Sequence, residues 1–244
     1  MKKYNDKIVA IHQPNFLPWL GYFHKMNSCD VFVFHDDVEL NWNGHTRRIQ
    51  IRLNPATNEM DWINLPISNA DKHAYINEIE LPEDESGFAQ ILDKIKGCYG
   101  GSPHFKQVFP TIRRCINQKE KNLAVYNQKA ITILAKLLEI KPSIVVSSDL
   151  EAEGRGQDKV INIVKALGNN NYLSGMGAVS YQLNEVFEKN KIDLSYLDSV
   201  KDLETVRKKE PHLLLNASVL DCLFFKGIDW VKETLQSLKT KEVK

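Results

Sequence analysis

The sequence has almost no charge imbalance, few cysteines and no long apolar run. Its 32 Lys and Arg stand against 31 Asp and Glu, a formal net charge of +1. Binding to phosphate backbones needs a clustered cationic excess, so no DNA partner is expected. Four cysteines (Cys29, Cys98, Cys115 and Cys222) lie far apart. They form neither a disulfide framework nor a zinc motif and suit a reducing compartment. No stretch approaches the roughly 20 apolar residues of a membrane helix. Lys2 and Lys3 are followed by Asp6 and Lys7 before any apolar segment begins, so no secretory leader is read and a cytoplasmic protein is expected. There is no G-x-G-x-x-G opening a helix after the first strand, and no Walker A, H-E-x-x-H or G-x-S-x-G. These absences argue against common NTPases, metalloproteases and α/β-hydrolases.

What is present is ordinary globular usage, 43% hydrophobic and 26% charged over 244 residues, which reads as one domain spanning 1–244. Residues 7–13 and 31–34 are short β-branched or aromatic runs that read as buried strands. Between them, Leu20, Phe23 and Met26 repeat at helical spacing. Strand, helix and strand within about 30 residues make a βαβ unit with parallel strands. Residues 38–81 alternate instead: Ile49 and Ile51, then Trp62, Ile63 and Leu65, then Ile76, Ile79 and Leu81. They read as an antiparallel meander with turns at Asn43-Gly44 and 55–59. Residues 84–140 show three amphipathic helical faces. The βα alternation then resumes, with strands at 144–146, 172–173 and 192–197 and helices at 158–167, 179–189, 219–225 and 230–238. The expected fold is α/β: a Rossmann-like, mostly parallel sheet from βαβ units at residues 7–37 and 142–200, with the meander and helices inserted at 37–141.

A parallel sheet places its ligand outside the carboxyl ends of its strands. Those ends are polar or glycine-rich here: His12-Gln13-Pro14-Asn15, His35-Asp36-Asp37, Ser147-Ser148-Asp149 and Ser174-Gly175-Met176-Gly177. His12 is a candidate general base, because histidine titrates near neutrality. A histidine held to backbone at a strand end is the plain structural alternative. Asp36 and Asp37 are adjacent, so they point to opposite faces and do not make one metal clamp. Either one orients a histidine or binds a hydroxyl or amine, or both simply cap a turn. Arg47 and Arg48 sit on an alternating strand, where one can face the site and fork onto a phosphate or carboxylate. Gly154-Arg155-Gly156 before a helix is a weak anion signal. Ser218-x-x-Asp221 has capping-box spacing, which reads Ser218 as an N-cap and Asp221 as structural. No metal site is read.

The run Ile11-His12-Gln13-Pro14-Asn15-Phe16-Leu17-Pro18-Trp19-Leu20-Gly21-Tyr22-Phe23, with Asp30-Val31-Phe32-Val33 and Asp36-Asp37-Val38, resembles the WbqC-like protein family. So do Tyr172-Leu173-Ser174-Gly175 with Gly177 and Tyr181, and Ala217-Ser218-Val219-Leu220-Asp221-Cys222-Leu223-Phe224. His24 and His35 stand where the family often has other residue types, and Arg48 matches a family arginine better than Arg47. The resemblance implies bacterial O-antigen or other surface-polysaccharide (lipopolysaccharide) biosynthesis. It also implies an acyl or aminoacyl (glycine) transferase acting on a sugar. The partners would be a nucleotide-linked amino sugar and an activated acyl or aminoacyl donor, with no cofactor. Such an enzyme needs a base, oxyanion donors and a cation. His12 and Asp36 are the catalytic candidates. Gln13, Asn15, Trp19, Tyr22, Asp37, Arg48, Ser174, Gly175 and Gly177 are the substrate-binding candidates. A non-catalytic sugar-nucleotide binder and an ATP-dependent amino-acid–sugar ligase are the alternatives.

Overall fold

A computed structural model describes residues 4, 6–54, 56–68 and 70–239. Lys2 and Lys3, named above, and position 55 of the turn at 55–59 lie outside the described residues. The chain builds β1 (Val9–His12), α1 (Leu20–Asn27) and β2 (Val31–Phe34), then β3 (Arg48–Arg52) and β4 (Met60–Asn64). Helices α2 (Ser86–Tyr99), α3 (Phe105–Ile116) and α4 (Leu123–Leu137) follow. The last part is β5 (Ser143–Val146), α5 (Gly156–Ala166), β6 (Asn171–Gly175), α6 (Asn184–Lys189) and β7 (Asp193–Leu197), then α7 (Ser199–Asp202), α8 (Glu204–Lys209) and α9 (Leu220–Lys239). Among the described residues, no helix is long and apolar enough to cross a membrane.

The sheet order is β5-β2-β1-β6-β7, every pair parallel. Buried parallel strands are apolar on both faces, because helices cover both. Alternation still sorts the residues. Ala10, Phe32, Phe34 and Leu173 join the core under the inserted helices, α1 and α9. Val9, Ile11, Val31, Val33 and Tyr172 join the core under α5 and α6, with Ile161, Val164 and Phe187. The chain runs outward from β1 through β2 to β5, then returns to the other side of β1 as β6 and β7. The direction of winding therefore changes between β1 and β6. A crevice opens at the carboxyl end of such a switch point.

The α/β class and the mostly parallel sheet agree with the sequence, but some elements differ. The antiparallel insertion is a two-stranded hairpin, with Arg48 opposite Asn64 and Arg52 opposite Met60. The third meander strand at 76–81 is absent. Ile76–Glu78 is a short 3-10 turn, and Ile79 and Leu81 are held by single bonds to the segment before α4. Their period-2 burial is real, but among the described residues the pairing here is an isolated bridge, Glu80 with Asn122, and no strand. The helix expected at 179–189 shrinks to α6, because Leu183 N–H donates to Gln157 Oε1 instead of continuing a helix. Helices α7 and α8 are additional; in them and between them only Ser199 and Leu203 are buried, too few to set a period. The break expected between the helices at 219–225 and 230–238 is a sharp kink at Gly227, with φ 84°, inside α9. A Cβ there would lie 2.8 Å from the His104 ring, so both backbone and space demand glycine.

Candidate functional site

A cavity of about 590 Å³ occupies the crevice between the ends of β1 and β6. Such a volume is in the range of small-molecule sites. His12 and Gln13 reach it from β1, and Ser174 and Gly175 from β6, with Gly177 just beyond. Trp19, Tyr22 and Lys25 reach it from α1. Gly21 makes room for the indole of Trp19. An added Cβ would lie 2.2 Å from its Cη2.

Helix α1 is tied to the end of β1 by two side chains three residues apart, which share one helix face. The Tyr22 hydroxyl donates to the Gln13 carbonyl at 3.1 Å, and Lys25 Nζ donates to the Ile11 carbonyl at 2.9 Å. His12 Nδ1 lies 3.1 Å from the same Gln13 carbonyl. A carbonyl only accepts, so Nδ1 carries the proton and Nε2 keeps its lone pair. The edge of the Tyr22–His12 ring pair, with centroids 4.6 Å apart, fixes the imidazole further. Burial pushes the His12 pKa down to about 3, and the nearby Lys25 ammonium pushes the same way. Burial likewise lowers Lys25 to about 8 and raises the Tyr22 hydroxyl well above its ordinary value.

Asp36 and Asp37 do not line this cavity. Asp36 is buried and accepts from Ser148 N at 3.1 Å and Ser148 Oγ at 2.9 Å. The Ser147 hydroxyl lies within reach of both carboxylates. Asp37 pairs with Lys159 Nζ at 2.5 Å. Burial works against the Asp37 charge, but the bonds from Lys159 and Ser147 outweigh it and hold the carboxyl below its usual range. These groups lock the end of β2 to β5 and α5. His35 does line the cavity, and its buried Nε2 has no hydrogen-bond partner among the described residues. Burial lowers its pKa to about 4, Asp37 raising it and Lys159 lowering it by lesser amounts.

Asn15 is buried and lines a second cavity of about 340 Å³ instead, with His45, Gln50 and Arg207. Trp19 and Val200 line both cavities and so form the wall between them. Arg48 lines neither. Its guanidinium lies over the Trp62 ring at 4.2 Å and donates to the Asn43 carbonyl. The cationic side chain that lines the cavity is Lys25. Sequence reading passed over Lys25, although a lysine in a helix whose other residues from Leu20 to Met26 are all buried was a usable signal.

The two depressed histidines make the fold acid-sensitive. The unfolded chain binds a proton on each near the ordinary 6.5, whereas the folded chain resists until about 3 for His12 and about 4 for His35. Above 6.5 both states are neutral and nothing is lost. As pH falls through the window below it, stability drops, by about 1.4 kcal/mol per pH unit for each group. Urea midpoints should therefore fall steadily between about pH 6.5 and pH 4.5, and His12→Ala should flatten part of that slope. Midpoints independent of pH over this range would contradict the burial of both rings.

A protein-family model described as the WbqC-like protein family matches residues 13–233. Among curated proteins, the uncharacterized protein Rv1507c of Mycobacterium tuberculosis is 24% identical over 195 residues, covering 79% of this chain and 82% of that protein. No solved structure matches the chain significantly.

Proposed function

The chain belongs to the WbqC-like protein family, and on that premise we propose that its switch-point cavity carries out amide formation on a nucleotide-linked amino sugar, as an acyl or aminoacyl (possible donor: glycyl) transferase of surface-polysaccharide assembly. One observation carries the reading: His12 lines a cavity of substrate size, and the Gln13 carbonyl holds its proton on Nδ1, which leaves Nε2 as the free lone pair. The sugar amine attacks the acyl carbon of the donor, and the C–N bond forms as His12 Nε2 takes the amine proton. The tetrahedral oxyanion then collapses, the bond to the donor's leaving group breaks, and the imidazolium returns its proton to that group. Thr46 Oγ1 donates to Gln13 Oε1, which leaves Gln13 Nε2 as a donor for the oxyanion. Trp19 and Tyr22 wall the sugar or base, and Ser174, Gly175 and Gly177 bound it from β6. The second cavity, with Asn15, takes the acyl donor across the Trp19 wall. Asp36 and Asp37 hold the β2 end in place rather than react. Four free cysteines fit the reducing cytoplasm in which the reading places the protein.

The test is conversion of an amino-sugar nucleotide by the purified chain, offered thioester, aminoacyl-tRNA or free amino acid with ATP. A new amide detected by mass with one donor supports the reading. Tight binding of the sugar nucleotide with no product from any donor favours a carrier or assembly protein. Pyrophosphate release dependent on an amino acid would mark a ligase.

A further inference from the structure

Lys25 and Lys159 are the buried lysines among the described residues, and the fold treats them differently. Lys159 is neutralised internally by Asp37 at 2.5 Å. Lys25 Nζ donates to the Ile11 carbonyl, and no carboxylate of the described residues comes within ion-pair distance of it. An ammonium has three N–H donors, so two are uncommitted. A buried cation without a counter-charge is costly, and proteins seldom keep one that does nothing.

Its surroundings place no anion within ion-pair distance. Asp198 is the acidic residue lining the cavity; its carboxylate caps α7 by accepting from Lys201 N and forms no ion pair with Lys25. His12 and His35 are neutral there. The Cys29 thiol, beside Lys25, donates to the Met26 carbonyl. The first turn of α5 brings Gly156 and Gln157 to the same cavity, and with them the positive end of a helix dipole. Asp158 belongs to that turn but does not line the cavity. Lys25 and the α5 terminus thus converge on one space with a positive bias, set against the single lining carboxylate of Asp198.

We infer that Lys25 anchors the diphosphate of the nucleotide-linked ligand, an oxygen of which accepts one of its two uncommitted N–H groups. The inference rests on the reading above and deepens it. It also eases a difficulty in that reading. A base as weak as the empty-site His12 is a poor proton acceptor. Burial is the main cause of that weakness; a diphosphate on Lys25 cancels the second, the repulsion from the ammonium, so ligand binding strengthens the base.

The test is calorimetric titration of the full chain with inorganic pyrophosphate and with uridine diphosphate, against acetate as a monoanion control. The wild type should bind both diphosphates, more weakly at high salt, and acetate poorly. Lys25→Met should weaken diphosphate binding by about tenfold or more, while its Tm stays level or rises because an unpaired buried charge is gone. Should Lys25→Met fail to fold, Lys25→Gln keeps a donor for Ile11 and carries the same comparison. In the wild type, pyrophosphate should also raise the NMR titration midpoint of His12. Equal diphosphate affinity in wild type and variant, or no binding to wild type, overturns the inference. Binding lost with Lys25 but no amide product from any donor leaves the anion site standing and removes the transferase reading.

Discussion

Replacing Asp221 by alanine is expected to cost about 3–5 kcal/mol of stability, which for a chain of this size is a Tm loss on the order of 10 °C. Asp221 is fully buried and forks onto Arg52, with Nε to Oδ1 at 2.9 Å and Nη2 to Oδ2 at 3.0 Å. The other guanidinium N–H groups go to the Thr57 carbonyl, Asn58 Oδ1 and the His212 carbonyl. All five arginine donors are therefore used. Asp221 Oδ2 also accepts from Leu214 N at 2.8 Å, and the Tyr99 hydroxyl lies 3.4 Å from Oδ1. The pair thus joins β3, the loop after it, the segment before α9 and α9 itself. Removing the carboxylate leaves a guanidinium 3% exposed without its counter-charge. Arg52→Ala should cost a similar amount, and the double variant less than the sum of both. Urea unfolding of the three variants checks this. A loss under about 1 kcal/mol for Asp221→Ala would contradict it. So would an Asp221→Asn variant with full stability and no turnover, which would make Asp221 a catalytic acid.

His12→Ala should lower turnover by at least about 10²-fold, the lower range for losing a general base, while sugar-nucleotide affinity changes little. The imidazole sits at the end of β1, where the backbone is in register with Phe34 of β2, and the Gln13 carbonyl and the Tyr22 ring fix its plane. Positioning of this kind is what proton transfer requires. His24→Ala and His35→Ala should do much less. His24 Nδ1 is occupied by Ser199 Oγ at 3.1 Å, and His35 stands on the far side of His12 from β6, one strand over. Initial rates and affinities measured together on the three variants separate the outcomes. Full activity with lost nucleotide binding would make His12 a binding residue. An unfolded variant would make it a structural one.

The parts of the fold written in local pattern were legible. Residues 9–11 and 31–34 are apolar without a break because both faces of a parallel sheet are covered, and α1 shows its period between them. Strand order was not legible, since the pairing of β1 with β6 joins Val9 to Tyr172 across most of the chain. Yet that pairing is what sets the crevice. The cavity lining divides in the same way. His12, Gln13, Ser174 and Gly175 line the cavity and stand at strand ends, which can be read locally. Asp36 does not line it and is tied to Ser147 and Ser148, more than a hundred positions away. Arg48 looked free because Trp62 meets it only through the hairpin. The capping-box spacing at 218–221 misled in detail. Ser218 Oγ donates to the Leu17 carbonyl and reaches Leu220 N only at 3.4 Å, and the Asp221 carboxylate turns to Arg52.

The most direct measurement is a crystal structure of the chain with a nucleoside diphosphate amino sugar soaked in without donor. The predicted result places the sugar amine about 2.6–3.2 Å from His12 Nε2, in the cavity between β1 and β6, with the diphosphate against Lys25. A ligand bound in the same cavity with its amine turned away from His12, or bound outside it altogether, would contradict the account.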